Sequence, residues 1–334
     1  MKRETLKTIA EKTGLSVTTA SRVLSGCAEQ YRISAKTQNL VLETARICGY
    51  RPSYAARSLR TNKSKVIGLV MPSLSEYYLS TLASFIIKNN AENEYTTMVV
   101  DAQGREEKEK KGIDTLLERN IDGLIIAPLG DISNLLSLVD KVVPVVQIDR
   151  YLQSAAISSV CSNNYYIGRE ITEIMIRNGH RRIACMCGTR GVSSCEERIS
   201  GYCDAMTEAG LELSMFGNTF DSQESFLCAK EFLSSEDRPS ALVSLANGQF
   251  IGILKAAQRL NLRIPDDLSA ITVDDNKYMN FITPAITRMA QSMEDMASTC
   301  CQILYSRLNG NDSGVKHIRL LPRLIPGNSI QSLI

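Results

Sequence analysis

The sequence predicts an all-α helix-turn-helix head, a short linker, and an α/β body of two lobes built on parallel sheets with helices on both faces. Three observations carry this reading. The first sixty residues space apolar side chains at helical intervals around a glycine turn. Residues 1–65 hold thirteen Lys and Arg against four Glu, a net +9, while the rest holds 25 against 32, a net −7. From Val66 onward, short apolar runs alternate with longer amphipathic stretches, the pattern of parallel sheets under helices. A chain of 334 residues is also too long for one compact core.

In the head, Leu6, Ile9 and Ala10 share a helical face. Gly14 can end that helix in the left-handed conformation, and Ser16 can cap the next, whose inner face carries Ala20, Val23 and Leu24. In a helix-turn-helix the second helix enters the DNA major groove and its early residues meet base edges. Its outward positions here are Val17, Thr18, Ser21 and Arg22. Two packed core helices are the plainer alternative, and the segregated basic charge, suited to phosphates, argues against it. Ser34 is placed to cap a third helix with Leu40, Val41, Ala45 and Ile47 as its apolar face.

The order Leu6-x-x-Ile9-Ala10, Gly14 to Leu24, Ile33-Ser34-Ala35-Lys36-Thr37, Gly49-Tyr50-Arg51-Pro52 and Ala56-Arg57-Ser58-Leu59-Arg60-Thr61 resembles the headpiece of the lac-repressor (LacI/GalR) family over residues 4–62. The resemblance implies operator contacts from Thr5, Ser16, Val17, Thr18, Ser21, Arg22, Tyr50, Ser53, Ala56 and Leu59. It also implies a hinge helix after Pro52 that folds on operator, with Leu59 as a wedge that unstacks a base step in the minor groove. The expected domains are residues 1–48, a linker with hinge helix at 49–64, and a body at 65–334. The segment Gly26–Ile33 is about three residues longer than in well-known members. It is expected to alter backbone contacts more than base readout.

In the body the predicted strands are Val66–Met71, Thr97–Val100, Gly123–Ala127, Val143–Ile148, Arg182–Met186, Ser240–Ser244, Leu268–Val273 and a final one at His317–Ile325. Helices are expected at Leu79–Asn90, Arg105–Arg119, Ile167–Arg177 and Ile251–Leu260. Two sets of parallel strands place a binding crevice at their carboxyl ends, between two lobes. The runs Val66–Pro72, Gly123–Pro128, Gly179–Ile183, Arg198-x-x-Gly201-Tyr202, Ile264–Ser269, Val273-Asp274-Asp275 and Pro284–Thr287 resemble the effector domain of the same family, itself similar to periplasmic sugar-binding proteins. Carboxylates and a guanidinium suit the hydroxyls of a carbohydrate, and aromatic rings suit its flat faces. The candidate effector residues are therefore Tyr78, Asp149, Ser194, Arg198, Phe220, Asn247, Asp274 and Gln291. For Asp274 and Arg198 the plainer reading is an ion pair; for Tyr78 and Phe220 it is core packing. Asn247-Gly248 stands where members commonly carry Asn-Asp, and Asn163-Asn164 where they carry Asp-Asn, so two familiar carboxylates are missing.

Other classes fit poorly. Ten cysteines are scattered without a Cys-x-x-Cys pair and there are two histidines, so neither a metal site nor a cofactor is expected. No apolar run approaches the ~18–20 residues that span a bilayer, and no apolar signal region follows Met1, so a cytoplasmic protein without membrane contact is expected. The alternative is a sugar-metabolising enzyme with a DNA-binding head. It lacks a phosphate loop and a Gly-x-Ser-x-Gly elbow, and His180 reads as structural. The expected partners are a near-palindromic operator, a small-molecule effector and a second copy of the chain, since one head reads too few base pairs alone. With no leucine heptads after the last strand, a tail-built tetramer is not expected.

Overall fold

Side-chain caps start the three helices of the head that fall among the described residues. Thr5 caps α1 (Leu6–Thr13), its hydroxyl accepting from the Thr8 amide at 3.3 Å. Ser16 caps α2 (Val17–Leu24) through the Thr19 amide at 3.0 Å, and Ser34 caps α3 (Ala35–Ile47) through that of Thr37 at 3.3 Å. Each such cap stabilises its helix by about 1 kcal/mol. Gly14 ends α1 in the left-handed region at φ 66°. The computed structural model describes residues 4–50, 63–154, 156–311 and 314–334, and the chain divides into two compact units, Met1–Ser64 and Lys65–Ile334.

The head core is Ile9, Ala10, Ala20, Val23, Ala28, Val41 and Ala45, with Leu6, Leu15, Leu24, Ile33 and Tyr50 packed against it. This corrects the expected apolar face of α3. Its buried stripe is Val41 and Ala45 alone, while Leu40 and Ile47 are 47% and 75% exposed. At 3.6 residues per turn, Leu40 sits about 100° from Val41, and Ile47 about 200° from Ala45.

The body holds two six-stranded sheets. The first contains β1 (Val66–Met71), β2 (Thr96–Asp101), β3 (Gly123–Ile126), β4 (Val145–Ile148), β5 (Ser159–Ser162) and β11 (His317–Leu320), in the order β11-β5-β4-β3-β1-β2 and all parallel. The second contains β6 (Ile183–Met186), β7 (Ser214–Phe216), β8 (Ala241–Ser244), β9 (Ser269–Val273), β10 (Arg288–Ala290) and β12 (Arg323–Ile325). Its order is β12-β10-β9-β8-β6-β7, parallel except for β12 against β10. The connecting helices are α4 (Tyr77–Glu92), α5 (Glu106–Glu118), α6 (Ser133–Val139), α7 (Asn164–Arg177), α8 (Ser193–Glu208), α9 (Ser222–Leu233), α10 (Asn247–Arg259) and α11 (Met293–Leu308).

The inner strands of each sheet are buried on both faces, which is why most of them read as continuous apolar runs. Ile67, Leu69 and Met71 pack with Leu82 and Ile86 of α4 and Leu304 of α11, whereas Val70 packs with Ile113 and Leu116 of α5 on the other face. In the second lobe Ile183 and Cys185 face α7 and α8, and Ala184 and Met186 face α9 and α10.

The chain passes between lobes at Asn163, at Gln291–Ser292 and at Leu321–Pro322. The third passage corrects the single final strand expected at His317–Ile325. β11 pairs with β5 in one lobe and β12 with β10 in the other. Pro322 between them has no N–H for a ladder, so one continuous strand cannot form there. Pro144 likewise delays β4 to Val145. Among the described residues no helix is long and apolar enough to cross a membrane, and no group of three or more His, Cys, Asp or Glu is placed to hold a metal ion.

Candidate functional site

Two surfaces gather the candidate residues. On the head, Val17, Thr18 and Arg22 are exposed on α2 and Ser21 is half-buried. Thr5 and Ser16, both exposed, already serve as helix caps. Tyr50 is half-buried against the head core, its amide bonded to the Ala45 carbonyl at 2.9 Å. Ser53, Ala56 and Leu59 lie outside the described residues. In the longer segment after α2, the exposed Tyr31 ring lies against Arg22, the guanidinium carbon 3.7 Å from the ring centroid.

In the body, all eight candidate effector residues line one cleft of about 520 Å³ between the lobes. Asp149 and Asp274 each follow a central strand and hold left-handed backbone, at φ 67° and 79°. Such strain in non-glycine residues clusters at functional sites, and the short Asp side chain tolerates it best. The Tyr78 hydroxyl donates to Asp149 Oδ1 at 2.9 Å and lies 3.3 Å from Gln291 Oε1. Gln291 Nε2 donates to Asp274 Oδ1 at 2.6 Å. Tyr78 belongs to the first lobe, Asp274 to the second, and Gln291 to a passage between them. The polar chain therefore runs from one lobe to the other. A second interlobe set joins Tyr151 to Glu197 at 2.7 Å and Arg319 to Glu197 at 2.8 Å.

Arg198 is 4% exposed. Its Nε donates to Asn164 Oδ1 at 2.9 Å and its Nη1 to the Leu245 carbonyl. Burial pushes the Asp274 carboxyl above the usual carboxylate range, against the pull of the Arg198 charge and the Gln291 amide. The Asn247 amide N–H lies 3.5 Å from Asp274 Oδ2, its side-chain nitrogen donates to the Tyr278 hydroxyl, and its Oδ1 is buried with no hydrogen-bond partner. That free acceptor, at the cleft wall, suits a ligand hydroxyl. Ser194 lines the cleft from α8.

The two departures from the family pattern have local causes. Asn163, in the place of the family's aspartate, caps α7 by accepting from the Tyr166 amide at 3.1 Å, a bond that an amide oxygen makes as a carboxylate does, while Asn164, which matches the family's asparagine, takes the Arg198 hydrogen bond. Phe220 lies between two glycines. A Cβ at Gly188 would enter its ring, and one at Gly248 would enter contact with its carbonyl oxygen. An aspartate at 248 has no room unless the Phe220 wall moves. Gly248→Ala is accordingly expected to cost ~1–3 kcal/mol by overpacking. Urea unfolding measures this, and an unchanged midpoint would show that the wall yields freely.

Among the cleft residues beyond those the sequence predicts are Arg150, Tyr77 and Tyr278. Arg150 is 9% exposed and bonds Asp149 through Nε at 3.3 Å; its place beside Asp149 was the available signal. Tyr77 and Tyr278 meet edge to face across the cleft, centroids 6.3 Å apart. Tyr278 comes from a loop after β9 pinned by buried Arg288, which bonds Asp275 at 2.6 Å and Asn280 at 3.0 Å. His180 stands apart from the cleft, with both ring nitrogens engaged, to Ser240 Oγ at 2.9 Å and the Gln331 carbonyl at 3.1 Å.

Residues 5–53 match the family model "Bacterial regulatory proteins, lacI family", and residues 64–303 match "Periplasmic binding proteins and sugar binding domain of LacI family". The chain is 26% identical to the HTH-type transcriptional repressor PurR of Vibrio vulnificus (strain CMCP6), over 98% of this chain and 99% of that protein. It is 27% identical to PurR of Haemophilus influenzae (strain PittEE), over 99% of each. Among solved structures it is similar to the lac repressor dimer bound to operator and the anti-inducer ONPF, with TM-score 0.88 and 22% identity, over 99% of this chain and 100% of that one.

Proposed function

The chain belongs to the lacI family of bacterial regulatory proteins, and from that premise we propose that it is a homodimeric, cytoplasmic repressor of transcription whose operator affinity is set by a small carbohydrate-like effector. One observation carries the effector half: a guanidinium, two strained aspartates, two amides and two aromatic walls converge on one cleft that two lobes close. A polyhydroxylated ligand replaces the bonds that these groups now make to one another. Binding shifts the balance between lobe angles, and coupling between two sites through such hinge closure is typically ~1–3 kcal/mol.

In this reading residues 1–48 form the DNA-binding domain, 49–64 the linker and 65–334 the effector and dimerisation domain. Ser53, Ala56 and Leu59 keep their proposed operator roles on sequence grounds. Two heads on a near-palindromic operator supply the specificity that one lacks. The chemistry here is binding, with no catalytic residue assigned.

The test has two steps. Operators are selected from genomic fragments with the full chain, and their affinity is then measured against a panel of neutral carbohydrates. A shift of about fivefold or more with one of them, the lower end of allosteric coupling, is expected. Selection of no fragment would remove the operator role, and turnover of a sugar with ATP would favour an enzyme.

A further inference from the structure

We propose that Tyr31, in the segment between α2 and α3, is a positioning residue that sets the base preference of Arg22. This rests on the reading of Arg22 as a base-reading side chain. The Tyr31 ring and the Arg22 guanidinium lie face to centroid at 3.7 Å, although both residues are exposed. An exposed Arg side chain otherwise samples many rotamers.

The segment that carries Tyr31 is built rather than loose. α2 ends in a left-handed glycine, Gly26, with the Gly26 amide on the Val23 carbonyl at 3.1 Å and the Cys27 amide on that of Arg22 at 3.0 Å. A second turn of the same kind follows at once. Arg32 is left-handed at φ 51°, its amide bonds the Glu29 carbonyl at 2.9 Å, and the Ile33 amide bonds that of Ala28 at 3.0 Å. This is the Schellman pattern, and its usual apolar contact is present because Ala28 and Ile33 both join the head core. Two such closures in succession turn the chain back over α2 and present Tyr31 to Arg22 from a fixed base.

The chemistry of the pair suits base readout. A ring on the face of a guanidinium leaves its in-plane N–H groups free, and those are the groups that form the two bonds to guanine O6 and N7. Arg22 is thereby ordered before DNA arrives, and less freedom is lost on binding.

The experiment uses the full-length protein and a duplex that the wild type selects from random sequence. Arg22→Ala first identifies the base pair at which discrimination disappears. Tyr31→Ala is then expected to reduce discrimination at that same pair by about two- to fivefold, the range of an exposed cation–π contact. Tyr31→Phe and Tyr31→Trp should keep it, with binding to random DNA and melting temperature unchanged. Equal loss on every duplex, or failure of Tyr31→Phe alongside Tyr31→Ala, would assign Tyr31 to a phosphate contact through its hydroxyl and overturn the proposal. Unchanged discrimination in Tyr31→Ala would overturn it while leaving Arg22 as a reader. If Arg22→Ala alters discrimination at no pair, the reading of Arg22 falls and the proposal falls with it.

Discussion

Asp274→Asn is expected to weaken the effector's grip on the cleft and, at neutral pH, to leave the folded chain more stable than the wild type. Burial raises the folded-state pKa of Asp274. The native state then holds this proton more tightly than the unfolded chain, so the ionised carboxylate destabilises the fold at pH values above both pKa values. Asparagine keeps the acceptor that Gln291 Nε2 uses and removes the charge. The gain in melting temperature should be present at pH 7, shrink as pH falls through the raised folded-state pKa, and be gone below about 4, where the carboxyl is protonated in both states. For the ligand the change runs the other way. A hydrogen bond to a charged group is worth ~1.5–3 kcal/mol, so the ligand concentration for half response should rise about ten- to a hundredfold. A variant that responds at the wild-type concentration would remove Asp274 from the effector site.

Arg198→Ala should differ from it in stability. It strips the partner from Asn164 Oδ1 and from the Leu245 carbonyl, both in buried surroundings, and each orphaned group costs ~1–3 kcal/mol. It also leaves Asp274 without the attraction of the Arg198 charge. The double variant should therefore recover part of the lost stability, a non-additivity expected of groups that interact directly. Strict additivity of the two changes would show that the two side chains do not sense each other.

Much of this was legible because parallel strands under helices are apolar throughout. Ile67 to Met71, Leu124 to Ile126 and Ala270 to Val273 are buried on both faces, and the aspartates at the ends of two such strands could be located by counting. β5, Ser159 to Ser162, and β10, Arg288 to Ala290, escape sequence reading because polar residues interrupt them. Ser159 is buried against the His317 ring, and Arg288 is buried to hold a loop. β7 is an edge strand, partly exposed, and carries no clear pattern. The cleft residues contributed by loop closure were equally hidden. Tyr278 reaches Asn247 only because Arg288 pins its loop, and Tyr31 reaches Arg22 only through two successive left-handed turns. The glycine at 248 was visible as a departure, but the Phe220 carbonyl that explains it was not.

Arg22→Ala is expected to cost ~1–3 kcal/mol on a selected operator, about five- to 150-fold in affinity, the worth of one good bidentate contact to guanine. Arg22 stands on the exposed face of α2, beside Val17, Thr18 and Ser21, and its charge takes part in no ion pair among the described residues. A cation in that position has two ways to serve. If it reads a base, the loss of affinity falls on the selected duplex and spares random DNA, and the dependence of affinity on salt stays as it was. If it only meets a phosphate, affinity falls alike on every duplex, and the slope of log affinity against log salt becomes shallower by about 0.9 for each phosphate no longer neutralised. A filter or fluorescence titration at several salt concentrations, on the selected duplex and on random sequence, separates the two. A shallower slope with equal weakening on both duplexes would strip Arg22 of its base-reading role and leave Val17, Thr18 and Ser21 as the readers on this helix.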